Sequence, residues 1–267
     1  MVKISIGTAG FFYKDWVGPF YPKKLEKAQY IEYFSKFFDL VEINSTFYNL
    51  PTEDMVINWK QRVPENFRFM IKVWQQISHN LNDENLDSSI FEFFSRMKIL
   101  KPKIIGFLFQ FPPWFKYSES HLQKLELLLK RVPSEYKYII ELRDNSWYDS
   151  NILSKFINGE NVTLGTTYMP EINPYYLPNQ NFYYIRMIGD RELSVFNRIQ
   201  RDQNEALNNL YKSVQEIIKQ RNVNEIFIIV NNHFLGFAPE SVNMIKKKFG
   251  LVYRNFSNQT SLADFIS

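Results

Sequence analysis

Five charged side chains in this sequence stand inside or at the end of apolar runs. Glu42 interrupts Leu40-Val41-Glu42-Ile43-Asn44, and Lys72 closes Phe69-Met70-Ile71-Lys72. Glu141 and Arg143 close Tyr138-Ile139-Ile140-Glu141-Leu142-Arg143, and Arg186 closes Tyr183-Tyr184-Ile185-Arg186. Gln110 and Asn231 end two further runs. Charges sealed in a dry core are costly unless paired, so these groups belong either to an ion network or to a site that meets a ligand. Read as chemistry, Glu141 or Glu42 is a general acid or base, and Lys72, Arg143 and Arg186 hold a phosphate or carboxylate. Asn44, Gln110 and Asn231 would orient what binds. The alternative is a self-satisfied network in which Glu42 and Glu141 neutralise the cations. Lys72 could form an imine if its pKa were depressed. The glutamates nearby argue instead that it stays charged, as an electrostatic, anion-binding member of the catalytic group.

The elements that must position these groups alternate along the chain. Strands are expected at Lys3–Gly7, Leu40–Asn44, Phe67–Val73, Ile104–Gln110, Tyr136–Arg143, Val162–Thr167, Phe182–Ile188 and Glu225–Asn231. Helices are expected at Glu26–Phe38, Thr52–Val63, Ser88–Leu100, Ser118–Arg131, Asp149–Asn158, Asp202–Gln220 and Pro239–Phe249, with Leu251–Asn255 extended. Thr52 reads as an N-cap. The proline-rich stretch Tyr168–Asn181 reads as a loop without a helix. Eight strands mostly followed by helices, with no linker, predict one domain over residues 1–267. The length of 267 residues suits a single (β/α)8 TIM barrel. No G-x-G-x-x-G follows a strand, so an open dinucleotide-binding sheet lacks its fingerprint.

Side chains alternate across a strand. Glu42 and Asn44, Met70 and Lys72, Leu108 and Gln110, Ile139, Glu141 and Arg143, and Tyr184 and Arg186 then share one face with each other. The opposite face is wholly apolar and should meet the helices. The first face points into the barrel and turns polar at its C-terminal end, where barrel enzymes carry their chemistry.

Aromatic residues make up 17% of the chain, more than a core of this size requires. Trp16, Trp74, Trp114 and Trp147 fall in loops after strands, with Phe12, Tyr13, Tyr21, Tyr48 and Phe115; Trp59 lies in a helix. Trp16, Tyr48 and Trp147 are therefore candidate stacking surfaces for a base or sugar, and the competing reading is that they form small cores for the loops. His79 and His233 follow strands and can reach the mouth. His79 joins the candidate binding residues. A zinc site would need both histidines with Glu42 and Glu141, which is a thin set. No cofactor is predicted; Mg or Mn on the carboxylates is the one divalent metal left open. The absence of cysteine excludes disulfides and thiolate chemistry and fits a cytoplasmic location. No apolar run is long enough to span a membrane, and the N-terminus reads as a strand with no leader. No G-x-S-x-G elbow supports a serine hydrolase. The ends of strands four and seven, where barrel glycosidases place their carboxylates, carry Gln110 and Arg186.

At these residues the chain resembles the YecE-like proteins, known as domain of unknown function 72. Ile6-Gly7-Thr8-Ala9-Gly10 with Tyr13, Asp15-Trp16 and Pro19-Phe20-Tyr21-Pro22 is similar to that family's opening motif. Val41-Glu42-Ile43-Asn44-Ser45-Thr46-Phe47-Tyr48 with Leu50-Pro51 resembles its most specific signature. Phe69, Lys72 and Ile77-Ser78-His79, then Gln110-Phe111-Pro112-Pro113, Glu141-Leu142-Arg143 with Ser146-Trp147, Tyr184-Ile185-Arg186 with Gly189, and Asn231-Asn232 with Gly236, Ala238 and Pro239 also match. The resemblance implies a TIM barrel and names no reaction. Asp144, Thr166-Thr167 and Ile188 stand where the family usually has histidine, aspartate and histidine.

Together these features predict an enzyme acting on a small anionic molecule at the barrel mouth, with oligomeric state open. One rival is a nucleic-acid-binding or nuclease-like protein, by fold-level analogy to endonuclease IV barrels, using Arg191, Arg198, Arg201 and Lys246-Lys247-Lys248. Another is a non-catalytic or degenerate member of the family. The net charge of +4 is mild for a nucleic-acid binder.

Overall fold

Eight parallel strands hydrogen-bond in sequence order and close on themselves: β1 Lys3–Ala9, β2 Leu40–Ile43, β3 Arg68–Lys72, β4 Ile104–Gln110, β5 Tyr138–Glu141, β6 Val162–Tyr168, β7 Phe182–Met187 and β8 Glu225–Val230. β1 pairs with both β2 and β8, which makes the sheet a barrel. The structure is a computed structural model and describes residues 2–256. The single (β/α)8 barrel expected from the alternation is the fold; the end of the expected domain extent lies outside the described residues.

The helices are α1 Tyr30–Ser35, α2 Ser45–Tyr48, α3 Glu53–Gln61, α4 Gln75–Ser78, α5 Leu86–Met97, α6 Glu119–Arg131, α7 Ser150–Leu153, α8 Asn204–Ile217, α9 Asn232–Leu235 and α10 Ala238–Lys248. Their apolar stripes face the barrel. Leu207, Leu210, Val214 and Ile217 of α8 are buried at helical spacing, as are Leu122, Leu125 and Leu128 of α6. Thr52 caps α3 through a bond from Met55 N–H, and Ser118 caps α6 from His121 N–H. The predicted helix at Glu26–Phe38 is shorter, because Glu26 is extended and a 3-10 turn over Lys27–Gln29 precedes α1. The one predicted at Asp149–Asn158 shrinks to α7, capped by Asp149. Tyr168–Asn181 contains no helix, as expected. Leu251–Asn255 joins no ladder.

Two cores result. The larger lies between strands and helices and takes Val41, Ile43, Phe69, Ile71, Phe107, Phe109, Ile140, Ile185 and Ile228. The smaller fills the lumen with Ala9, Leu40, Met70, Leu108, Ile139, Phe182, Tyr184, Phe227 and Ile229. Strand parity sorts these residues as the sequence pattern requires. β1 contributes little bulk to the lumen. A Cβ on Gly7 would sit 2.1 Å from the Leu40 carbonyl oxygen, so only glycine lets β1 and β2 approach this closely.

Candidate functional site at the barrel mouth

Above the lumen core the inner face becomes polar on six strands: Glu42, Lys72, Gln110, Glu141, Thr167 and Arg186. Four of them are ladder partners in the same layer, Gln110 with Glu141 and Thr167 with Arg186. Arg186 crosses the lumen. Its Nη2 and Nε donate to Oε1 and Oε2 of Glu42 at 2.6 and 2.8 Å, and its Nη1 donates to Oε2 of Glu141. Tyr184 Oη donates to Glu42 Oε2 at 2.7 Å, and Arg143 Nε donates to Glu141 Oε1 at 2.7 Å. Glu42 and Glu141 have no solvent exposure, and every carboxylate oxygen of the pair accepts at least one charged donor. Burial alone would raise the Glu141 carboxyl. Arg186 and Arg143 reverse that and hold it at about 2. Burial likewise opposes the Arg186 cation, and the two glutamates overturn it, so its pKa rises.

This closed network corrects two expectations. Arg186 is poorly placed to take an anion, since its Nε, Nη1 and Nη2 each already donate to a carboxylate. Glu141 and Glu42 are poorly suited to move protons, because their ionised forms are locked by arginine. The self-satisfied reading holds for this half of the ring.

Lys72 belongs to the other half, and here the expectation fails in the opposite direction. Its Nζ donates to Gln110 Oε1 at 2.9 Å and lies 3.9 Å from the centre of the Phe47 ring. It makes no ion pair among the described residues, since the glutamates that should keep it charged face the arginines instead. Burial and the Arg186 charge lower its pKa to about 7, against the opposing pull of Glu141. Neighbours pin the lysine in place. Gln110 Nε2 donates to Phe111 O at 2.9 Å, and Thr46 Oγ1 donates to Lys72 O at 2.6 Å.

Arg143 joins the two halves. Among the described residues only its Nε has a partner, and 5% of its side chain stays exposed. Its inward parity survives although β5 ends at Glu141. Arg191 comes from the loop after β7. Gly189 turns that loop with a φ of 81°, and a Cβ there would lie 2.4 Å from His233 O, so the loop rests directly on the loop after β8. Burial and Arg143 lower the pKa of Arg191, with Glu141, Arg186 and Tyr48 also in its field. His79 is half-buried. Its Nδ1 is 2.9 Å from Ser78 Oγ, and its ring stands 5.1 Å from that of Phe47, on which Lys72 rests. Burial and then Lys72 lower its pKa.

Four other candidates fall elsewhere. Asn44 leaves the ladder with an α-region backbone (φ −91°, ψ −21°), so strand parity no longer aims it inward. It lines a cavity of about 530 Å3 outside the ring, with Ile43, Met55 and Trp59. Asn231 caps α9 by accepting His233 N–H at 3.1 Å. Trp16 and Trp147 are fully buried, and their indole N–H groups donate to Asn232 Oδ1 at 3.1 Å and Phe115 O at 2.6 Å. They are the cores of their loops and present no face to a ligand. Tyr48 is 63% exposed and Trp114 60%, so these rings do remain at the surface. Three inner or rim residues were missed: Tyr184, whose parity was visible; Thr167, which looked like an ordinary strand hydroxyl; and Phe47, which no pattern places under Lys72.

Among the described residues no three His, Asp or Glu side chains gather as a metal could require. The basic clusters do not form one face. Arg201 pairs with Asp190 and Glu192, Lys246 is buried over the Phe38 ring, and Lys248 donates to Asn208. No helix among the described residues is long and apolar enough to cross a membrane.

With the ring in view, comparison with known proteins is informative. The family described as "Protein of unknown function DUF72" matches residues 5–264. The chain belongs to this family. It is 32% identical over 118 residues to UPF0759 protein YecE of Escherichia coli K12, covering 44% of this chain and 43% of that protein. It is 28% identical over 151 residues to UPF0759 protein YunF of Bacillus subtilis, covering 54% and 52%. The chain thus spans about half the length of the curated relatives it matches. Crystal structures of DUF72 family proteins from Thermotoga maritima and Enterococcus faecalis share the fold, with TM-scores of 0.76 and 0.74. Identities are 24% and 23%, over 93% and 97% of this chain and 99% of each of theirs.

At the three places where the resemblance leads to a different residue, the side chains present have local accounts. Asp144 caps a 3-10 turn by accepting Ser146 N–H at 3.0 Å, and the Ser146 side chain, then this N–H and Lys116, hold its carboxyl below the ordinary range. Ile188 is buried. Thr166 donates to Tyr175 O at 2.7 Å, while the Thr167 hydroxyl is buried beside Arg186 with no partner.

Proposed function

We propose that this protein is an enzyme that takes a small phosphate- or carboxylate-bearing substrate at the C-terminal mouth of its barrel. Arg143 and Arg191 hold the anion, Gln110 orients the reacting end, and Lys72 is the catalytic amine. The two glutamates serve as the buried counter-charge that fixes Arg186 and one nitrogen of Arg143. One observation carries this reading: an arginine whose Nη groups have no partner among the described residues acts on a buried lysine that has no carboxylate partner there. Two arginine forks can bind an anion bidentately, and desolvation strengthens that contact. The exposed rings of Tyr48 and Trp114 supply apolar surface for the rest of such a substrate.

The test is isothermal titration with inorganic phosphate, pyrophosphate and citrate, on wild type and Arg143→Gln. The reading expects at least one anion to bind and Arg143→Gln to weaken it by about tenfold or more, the scale of a lost charge-assisted contact. No binding of any of the three to wild type removes the reading.

A further inference from the structure

Three lysines are buried among the described residues, and one of them, Lys103, is held by a full set of oxygens. Lys103 is 2% exposed and donates to Val63 O, Pro64 O and Glu65 Oε2 at 3.3, 2.7 and 3.0 Å. That is how a structural ammonium is held: three oxygens, one of them charged. Lys246 lies over an aromatic ring on the outer side of the barrel, near Asp39. Lys72 differs from Lys103 in its acceptors and from Lys246 in its place. It has a single acceptor, the neutral amide oxygen of Gln110, and it stands at the C-terminal end of a barrel strand on the inner face. The charged groups that face it are Arg186, Arg143, Glu141 and Glu42, of which the glutamates are already bound by arginine. The Phe47 face favours the ammonium, but burial and the two arginines outweigh it and favour an amine that sheds its proton.

We infer that Lys72 is a nucleophile that forms an imine with an aldehyde or ketone carrying a phosphate or carboxylate group. The inference deepens the anion-binding reading above by naming the reacting group of the substrate. The neutral amine adds its lone pair to the carbonyl carbon, and the carbonyl oxygen takes a proton to give a carbinolamine. The hydroxyl then takes a second proton, the C–O bond breaks and water leaves, and the nitrogen, whose first proton went to the oxygen, releases its second as the neutral C=N bond forms. One amine and one carbonyl give one imine and one water, with no oxidant or reductant. Gln110 Oε1 holds one N–H and so turns the lone pair away from itself. Phe47 covers one side of the nitrogen and limits water there. The Nη groups of Arg143 hold the substrate's anion, which fixes the carbonyl at the lysine. A pKa of about 7 for Lys72 leaves a large neutral fraction at physiological pH, where an exposed lysine has almost none.

The experiment uses pyridoxal 5′-phosphate as an aldehyde bearing phosphate, pyridoxal as its uncharged counterpart, and sodium cyanoborohydride to trap imines. The full chain is labelled with less than one equivalent, digested, and mapped by mass spectrometry. The expected result is that Lys72 carries most of the adduct and that the phosphorylated aldehyde labels it about tenfold faster than pyridoxal. Inorganic phosphate should slow that labelling, and the rate should rise through pH 7. Lys72→Arg should leave only slow, scattered modification of surface lysines. If wild-type label is spread over exposed lysines while Lys72 stays unmodified, the inference is overturned, whatever the titrations with phosphate show. Equal labelling of Lys72 by both aldehydes, with no protection by phosphate, would uphold the imine and overturn the anion site instead.

Discussion

Arg186 and Glu42 meet across the lumen of the barrel, 144 residues apart in sequence, through two parallel hydrogen bonds of 2.6 and 2.8 Å. Their strands, β7 and β2, are not neighbours in the sheet. The pair therefore braces opposite walls, and Glu141 on β5 supplies a third point of attachment.

Removing the centre of that brace leaves two buried carboxylates without their main partner. Arg186→Met is expected to cost about 3–5 kcal/mol, the range for breaking one side of a buried ion pair. Tyr184→Phe removes one bond to Glu42 and should cost about 1.5–3 kcal/mol. Urea unfolding of both variants against wild type measures the difference. Equal midpoints in all three would show that the network adds nothing to stability.

The Glu141 carboxyl predicts an acid limb. Its folded pKa of about 2 lies below the unfolded value of 4.5. Above 4.5 the carboxylate is ionised in both states and its stabilisation is complete. As pH falls from 4.5 toward 2 the unfolded chain takes up a proton that the folded chain refuses, so stability drops, by roughly 3 kcal/mol in all. Glu141→Gln should be less stable at neutral pH and should lose less stability across that window. Denaturation midpoints at half-unit pH steps give the two slopes.

Lys72 has the reverse signature. Folded, it gives up its proton near pH 7; unfolded, it keeps the proton to about 10.5. Between those values the unfolded chain binds more protons, so stability rises with pH, by up to about 1.4 kcal/mol per unit. Lys72→Met should lack this rise and should exceed wild type in stability at pH 7. A wild-type profile parallel to that of Lys72→Met between pH 7 and 10 would mean that the lysine stays charged when folded.

Trp147 separates a structural tryptophan from a ligand platform. Trp147→Phe loses the bond from the indole N–H to Phe115 O and should cost about 1–3 kcal/mol. Anion affinity should be unchanged in the folded variant. Acrylamide should quench Trp114 strongly and leave Trp16 and Trp147 dark to it, because only the first offers its ring to solvent. A large loss of affinity with intact stability would restore Trp147 to the site.

The inner layer was legible in the sequence because a strand has a period of two. Glu42, Lys72, Gln110, Glu141 and Arg186 all sit where alternation places them, and the apolar lumen residues beneath follow the same rule. Alternation stops where the ladder stops, and Asn44 was misplaced for that reason: one residue past β2 its backbone turns helical. Loop aromatics were ambiguous because composition does not say which way a ring points. Trp16 and Trp147 proved to be fully buried, while Trp114 and Tyr48 did not.

What the chain's order of residues determined by itself is the barrel, the inward face and the set of polar groups at its mouth. What only the tertiary structure decided is which charge meets which. Glu42, Lys72, Glu141, Arg143 and Arg186 admit several neutral pairings on paper. The closed sheet admits one, because the arginines of β7 and of the segment after β5 reach both glutamates and leave Lys72 with an amide. In a desolvated lumen the strength of an interaction depends on separations of a few ångströms between strands far apart in sequence, and no local pattern records those.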